Sequence, residues 1–427
     1  MKNKIFLFII FTHTFVFSQN VPPQIISEGN ELYCPLSQQS IVTNFDIIDP
    51  DDNSLDAFYI QISEGYVLGE DTLTLVGDHP GVSVSPFDSV EGKLEILAPP
   101  GEDLLYTNLI AAIYDVMFFS TNPNPVDKSF SFTIGNANYL ELTGHYYEFI
   151  PLIDVRWTEA KVLAENLTYY GLQGYLATLT SEAENQIAAV QTNNFGWIGA
   201  SDEANENDWR WVTGPEGLEN GGSGRPFWFG NGSAFGGSSV NGEFSNWNGV
   251  QEPNNSGPEH YAHVTSPNIG EPGSWNDLPD PAAGAGEYQS KGFFVEYGGI
   301  PGDPDLNLSS TTNLIAPTIE ISDIFVRCSN DTLEMQANSN SVNGDIYWYD
   351  SESGGNLLHV GSSYSPDISD FPQVTNFYLS TFPTIVCDSF ERILVTVIVL
   401  PLPSANELDD LFICDDNNDG IWLFDFA

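Results

Sequence analysis

Apolar residues recur along this chain in two different rhythms. Through residues 22–137 they come in short alternating runs, "FYIQIS", "TLTLVG", "KLEIL" and "SFSFTIG", separated by Asp, Pro and Gly turns. A period of two with turn punctuation predicts half-buried strands, so this segment is expected to be an all-β sandwich. From Tyr139 the rhythm changes. "WTEAKVLAENLTYYG" sets Trp157, Ala160, Val162, Leu163, Ala164 and Leu167 at mostly helical spacing, with Gly171 as the stop. A second short helix follows, where Ser181 precedes "EAENQIAAV" and Glu184 sits three residues on, the pattern of a capping box. Two early helices around the strand "GYLATL", a long Gly- and Trp-rich stretch and a last strand "KGFFVEY" predict an α+β domain over residues 138–300 with a large irregular loop region. Such loops are functional or disordered, and the aromatic content here argues against disorder. After a polar stretch at 301–314 that reads as a linker, alternation returns in "IYWYD", "NFYLSTF" and "RILVTVIVL", predicting a second all-β sandwich over residues 315–402.

The ends of the chain and its cysteines place it in a compartment. "MKNKIFLFIIFTHTFVFSQN" sets Lys2 and Lys4 before an apolar run to Phe17 and a small Ser18, the layout of a secretory signal peptide over residues 1–18, cut after Ser18; the competing reading is a short buried helix. No later apolar run reaches the ~20 residues of a membrane span. The mature chain is therefore expected to be secreted or on the outer cell surface, where disulfides persist and calcium is available. Cys328 and Cys387 flank Trp348 in the second sandwich, which predicts an inter-sheet disulfide; two free buried thiols are the alternative. Cys34 and Cys414 have no obvious mates.

Charge narrows the partners. With 59 acidic against 11 basic side chains and a formal net charge of -48, nucleic acid and anionic membranes are excluded, and a cation is the natural partner. The acidic turn "DPDDN", Asp49 to Asn53, is either a weak calcium loop or a solvated turn. A richer set lies in "SNWNGVQEPNNSGPEHYAHV" and "SWNDLPD", which gather Glu252, Asn254, Glu259, Asn276 and Asp277. These supply carboxylate and amide oxygens to a Ca2+ ion, which takes six to eight oxygen ligands at ~2.4 Å. An ionised Glu only accepts, whereas Asn both donates and accepts, so a Glu/Asn pair can satisfy a hydroxyl completely. His145, His260 and His263 have no nucleophile or further ligand beside them in the sequence and read as ordinary strand histidines, so no enzyme is expected.

"HYYEF", "WTEAKVLAE", "GYLATLTSEAENQ", "GWIGASDEANENDWRWVTG", "SNWNGVQEPNN" and "SWNDL" follow the order found in C-type lectin domains, which residues 138–300 resemble. The resemblance implies that Glu252, Asn254, Glu259, Asn276 and Asp277 hold a primary calcium ion whose remaining positions take vicinal sugar hydroxyls. Glu-Pro-Asn implies mannose-type sugars (mannose, glucose, N-acetylglucosamine, fucose), and a cis Glu252–Pro253 bond is expected. It also implies an auxiliary calcium site of Asp202, Glu206, Asn255 and Glu259, with neutral Asn255 where an acid is common. Ala164 and Val295 stand where the family has a disulfide, and Tyr261 replaces another bridging cysteine. Residues 22–137 resemble cadherin-like sandwiches of bacterial surface proteins. Residues 315–402, through "WYDSESGG" and "VCDSFER", resemble immunoglobulin-like modules of Bacteroidetes surface proteins. The tail 403–427, with "CDDNNDGIWLFDFA", resembles the start of an Asp-rich repeat of proteins exported by the type IX secretion system; Phe426 stands where an EF-hand needs Glu, and the chain is expected to be a fragment. Two functions are thus expected, a calcium-dependent carbohydrate-binding lectin or adhesin, or a structural or protein-binding surface module in which calcium only orders loops.

Overall fold

The computed structural model describes residues 21–402 apart from residues 125, 330, 342–344, 370, 383–386 and 388–390. The predicted signal peptide and the Asp-rich tail lie outside the described residues. The chain divides into two compact units at Ala316/Pro317, and strands dominate both. Among the described residues no helix is long and apolar enough to cross a membrane.

The first unit begins as the alternation predicts. Asn44–Ile48 buries Phe45 and Ile47 and exposes the residues between, and Lys93–Leu97 buries Leu94 and Ile96 with half-buried residues between them. One six-stranded sheet runs in the order Asn30–Leu32, Ser309–Ile315, Lys128–Ile134, Ala57–Glu64, Lys93–Leu97, Ser83–Val84. Its core is aromatic: Phe45 meets Phe58 and Phe132, and Phe118 meets Phe130, all at centroid distances of 5.3 to 5.8 Å. Lys128 is buried in this strand and is offset by Asp71, with Nζ 2.6 Å from its carboxylate. A helix, Tyr106–Ile113, adds Leu109 and Ile113 to the same core.

The stretch 301–314 is not a linker. Ser309–Ile315 pairs antiparallel with Lys128–Ile134, from Lys128 opposite Leu314 to Thr133 opposite Ser309, and parallel with Asn30–Leu32. Thr312 is buried and its hydroxyl donates to the Ile41 carbonyl at 2.5 Å. The composition "SSTTNLI" hides a central strand because its inward positions are Thr312 and Leu314, only one of them apolar. Residues 135–308 are therefore inserted between two neighbouring strands of the first module.

Inside that insertion an early strand and the last strand meet again, His145–Pro151 lying antiparallel to Gly292–Tyr297. Gly292–Tyr297 also pairs with Leu172–Leu176 and touches Trp197–Ser201, which in turn carries Asp208–Trp211 and Tyr261–Val264. The helix Trp157–Glu165 buries Trp157, Ala160 and Ala164, while Val162 and Leu163 are exposed. Positions 157, 160 and 164 share one face at 100° per residue, and 162 and 163 point away from it. Ala164 and Val295 lie fully buried in one core cluster, with Gly174 between them: a Cβ there would sit 2.7 Å from the Ala164 carbonyl and 3.1 Å from Val295 Cγ1. Tyr261 stacks on Trp157 at 4.6 Å. Ser181 caps its helix by accepting from Glu184 N, but the Glu184 carboxylate accepts from Thr180 N and Oγ1 instead of reaching back to Ser181.

In the second unit a five-stranded sheet runs Ile324–Cys328, Ile393–Leu400, Val374–Ser380, Tyr347–Tyr349, Leu357–Val360 around the buried Trp348. The predicted Cys328–Cys387 bridge does not form, because Cys328 is a free thiol. Register explains this. Cys328 is opposite Leu400, at the end of the sheet where Val374 faces Ile398, whereas Cys387 follows Ser380 in the connection between Val374–Ser380 and Ile393–Leu400 at the opposite end. At ~3.3 Å per residue the two ends are too far apart for a disulfide.

A linker tolerates proline and a central strand does not. Thr312→Pro is expected to cost at least about 2 kcal/mol, a lost ladder bond plus an unsatisfied buried carbonyl, read as a lowered midpoint in urea unfolding of the first unit; an unchanged midpoint would return the segment to linker status.

Candidate functional site

The candidate site rests on an antiparallel pair of strands, Tyr261–Val264 and Trp275–Leu278, with His263 opposite Asn276 and Ala262 opposite Asp277. Below it lies a cluster of indoles: Trp247 packs on Trp209 at 4.9 Å and on Trp275 at 5.9 Å, and Trp211 meets Trp275 at 5.5 Å. These buried rings hold an otherwise irregular loop. Asn248 N donates to Trp275 O, Trp275 N donates to Asn246 O, and Trp275 Nε1 donates to Asn185 Oδ1.

Asp277 fixes the tip of that loop. Its carboxylate is almost wholly buried, and its two oxygens accept the backbone N–H groups of Asn254 (2.9 Å) and Asn255 (2.8 Å). The Glu252–Pro253 peptide is cis. Asn254 Nδ2 donates to Glu252 Oε1 at 2.7 Å, while Glu252 Oε2 is buried without a partner, as is Asn276 Oδ1. Burial, with the Asp277 carboxyl beside it, pushes the Glu252 carboxyl up to about 8. Burial and then the Asp277 charge also raise Glu259, whose Oε2 accepts from Ser256 N. Asn254, Glu259 and Asn276 together line a groove of about 470 Å³, continued by Leu278, Pro281 and Tyr288. The structure thus brings the five predicted residues to one loop-and-strand region, although Glu252, Glu259 and Asp277 are not among the acidic groups whose ligand atoms all lie within 4.8 Å of one another. Orphaned buried oxygens, and carboxyls raised by burial and then by the neighbouring Asp277, are what an oxygen-liganded dication would relieve, so the set fits calcium.

The auxiliary residues divide. Asp202 Oδ1 lies 3.0 Å from His260 Nδ1, Asp202 Oδ2 accepts from Asn207 N at 2.8 Å, and Glu206 Oε2 is 3.6 Å from His260 Nδ1. Asn255 Nδ2 donates to Glu206 Oε1. Glu259 is not among the three residues whose ligand atoms all lie within 4.8 Å of one another, Asp202, Glu206 and His260. The alternating pattern makes His260 a strand residue, yet it sits just before Tyr261–Val264, in the irregular segment leading into it. Its place directly after Glu259 was the available signal.

The three histidines do not converge. His145 Nδ1 pairs with Glu296 Oε1 at 2.6 Å in a buried network with Tyr147 and Glu184, and His263 is buried against Trp197 with burial holding its pKa down to about 3. Asp49, Asp51 and Asp52 also cluster, but Asp49 accepts the N–H groups of Asp51 and Asp52 and the Tyr106 hydroxyl, the bonds of a self-satisfied acidic turn.

Residues 315–401 match the family described as Ig-like domain, CHU_C associated. The second unit is thus an immunoglobulin-like module. The chain is 29% identical over 314 residues to halomucin of Haloquadratum walsbyi, an alignment spanning 69% of this chain and 3% of that far longer protein. Among solved structures, the insect immune protein hemolin aligns over 90% of this chain and 100% of its own at 8% identity and a TM-score of 0.19. The EFF-1 fusogen on extracellular vesicles aligns over 90% and 96% at 9% identity and a TM-score of 0.12. Neither score is high enough to bear on the fold.

Glu252 makes stability depend on pH in a definite direction. Its carboxyl ionises near 4.5 when unfolded and about 8 when folded, so between those values the native state holds the extra proton. The stabilisation is complete below about 4.5 and is lost as pH rises toward 8. In chelator, thermal midpoints are expected to fall across that window, and Glu252→Gln should reduce the slope; Glu184, raised to about 7 mainly by burial, keeps part of it. An identical slope in the variant would show that Glu252 is not the crowded group.

Proposed function

We propose that this chain is a calcium-dependent carbohydrate-binding protein of the cell exterior, not an enzyme, in which residues 138–300 form a C-type lectin-like domain for mannose-type sugars. The observation that carries the proposal is that Asn254, Glu259 and Asn276 line an open groove while Glu252 and Asp277 are hydrogen-bonded to Asn254 beside it, with Glu252 Oε2 and Asn276 Oδ1 buried and unpartnered. Calcium, when bound, supplies direct coordination for two vicinal sugar hydroxyls. The chain's own residues do the selecting. Glu252, ionised, accepts from a hydroxyl and the Asn254 amide donates to it, so each hydroxyl finds both a donor and an acceptor. Asp277 holds the loop that presents both side chains by taking the N–H groups of Asn254 and Asn255. The immunoglobulin-like module, the match to halomucin and the export-type start of the sequence support a surface location. The module itself serves as a spacer, and the first module as the frame in which the binding domain is seated.

A second reading has one observation in its favour. Because Asp277 already closes the loop through two backbone bonds, a cation there could serve loop order alone, in a structural or protein-binding surface module.

Titration calorimetry with mannose and galactose, in calcium and in chelator, separates the two. Wild type is expected to bind mannose only with calcium. Glu252→Gln with Asn254→Asp should turn the preference toward galactose by exchanging acceptor and donor sides. Asp277→Ala should lower affinity for either sugar by at least about 30-fold, the factor represented by ~2 kcal/mol. Sugar binding that survives chelation would falsify direct coordination, and calcium stabilisation with no sugar bound across a broad panel would favour the loop-ordering reading.

A further inference from the structure

We propose that Asp202, Glu206 and His260 form a binding site for a zinc-class divalent transition metal, distinct from the calcium set and in place of a second calcium site. The auxiliary residues expected from sequence are all oxygen donors, as calcium requires. The structure replaces that set. Glu259 lines the groove with Asn254 and Asn276, and the imidazole of His260 occupies the position beside Asp202 and Glu206. Two carboxylates and an imidazole are the donor chemistry of zinc and its neighbours and not of calcium.

The spacing agrees with that chemistry. Ligand atoms at the corners of a tetrahedron with bonds of ~2.0–2.1 Å are about 3.3 Å apart, and the His260 Nδ1 distances to Asp202 Oδ1 and Glu206 Oε2, 3.0 and 3.6 Å, bracket that value. Each of the three residues offers a ligand atom within 4.8 Å of those of the other two. Nδ1 carries a lone pair in the tautomer with its proton on Nε2. Asp202 is oriented by an outer bond, its other oxygen accepting from Asn207 N, the kind of support that ligating carboxylates carry. Asn255 binds Glu206 through Nδ2, and its own Oδ1 is buried without a partner, which leaves a neutral oxygen at the edge of the cluster. Burial raises the Asp202 carboxyl, with the Asn207 N–H and the imidazole opposing, and a dication would act in the same sense as those two.

The consequence is a clamp. A metal on these residues ties the turn Asp202–Asn207 to the loop Asn255–His260, and that loop continues from Glu252 and Asn254. The site does not depend on sugar binding, so it stands or falls separately from the proposed function.

The test uses the full chain stripped with chelator. Calorimetry and thermal unfolding are run with Zn2+ alone, then with Ca2+ alone, and visible absorption is recorded with Co2+ as a spectroscopic substitute. One equivalent of Zn2+ is expected to bind and to raise the unfolding midpoint, and Co2+ is expected to show the intense ligand-field bands of a four-coordinate site. His260→Asn should weaken Zn2+ by at least about tenfold and abolish the Co2+ bands, since loss of an outer-sphere partner alone costs about 10–100-fold; near-ultraviolet circular dichroism confirms that the variant is folded. His260→Asp should exchange the selectivity for Ca2+. Glu252→Gln should leave Zn2+ and Co2+ binding as in the wild type. The assignment is overturned if Zn2+ neither binds nor stabilises the wild type, if His260→Asn keeps the Co2+ bands, if Glu252→Gln loses them, or if the wild type takes a second equivalent of Ca2+ that Zn2+ cannot displace.

Discussion

The pairing of Ser309–Ile315 with Lys128–Ile134 is the contact on which the first unit depends. It joins the chain before the inserted domain to the chain after it, and Ile134 N donating to Leu308 O at 3.1 Å closes the junction at the point where the two paths separate. A second closure follows, between His145–Pro151 and Gly292–Tyr297. With both ends of residues 135–308 fixed twice, closing the irregular region between Ser201 and Gly292 costs less entropy than closing a free loop of that length. The inserted domain is also bonded to its host away from the junction: Tyr169 donates its hydroxyl to Ile134 O, and Gln191 Nε2 donates to Ile62 O and Glu91 O. These bonds fix the base from which the loop carrying residues 252 to 259 extends.

Electrostatics at the site follow from the same arrangement. A chain with a net charge of -48 gains nothing from pressing Glu252 against Asp277 in a half-buried position. The backbone enforces it, because Asp277 is committed to two N–H groups and the Glu252 and Asn254 side chains are tied together across Pro253. Like-charge crowding that the fold cannot relax is relieved by protonation at low pH or by a cation at higher pH.

Side-chain chemistry was legible in the sequence where it was dense. Glu252, Asn254, Glu259, Asn276 and Asp277 stand out in the sequence because no ordinary turn needs that many oxygen donors, and what brings the loop residues to the strand Trp275–Leu278 is the Asp277 carboxylate taking the Asn254 and Asn255 N–H groups. Alternation located the sandwich strands, and helical spacing located Trp157–Glu165, although only Trp157, Ala160 and Ala164 turn inward. What failed depended on long-range pairing. Ser309–Ile315 was read as a linker because Ser and Thr looked polar, and only its neighbours on both sides make it central. Cys328 and Cys387 looked like partners because they flank Trp348, but strand direction sends them to opposite ends of the sheet. Beyond its place after Glu259, His260 gives no signal in the sequence because the two carboxylates it meets, Asp202 and Glu206, lie more than fifty residues away in the chain.

Asn30–Leu32 and Ser309–Ile315 run parallel, side by side, with the first near the start of the described chain and the second at the end of its unit. Tension applied between residues 21 and 316 therefore pulls one strand by its leading end and the other by its trailing end, sliding them along each other. Their hydrogen bonds share such a force together, whereas an unzipping hairpin breaks its bonds one by one. The inserted domain lies outside this line of force, so a stretched chain would leave the loop of residues 245–260 slack while the host sheet bears the pull.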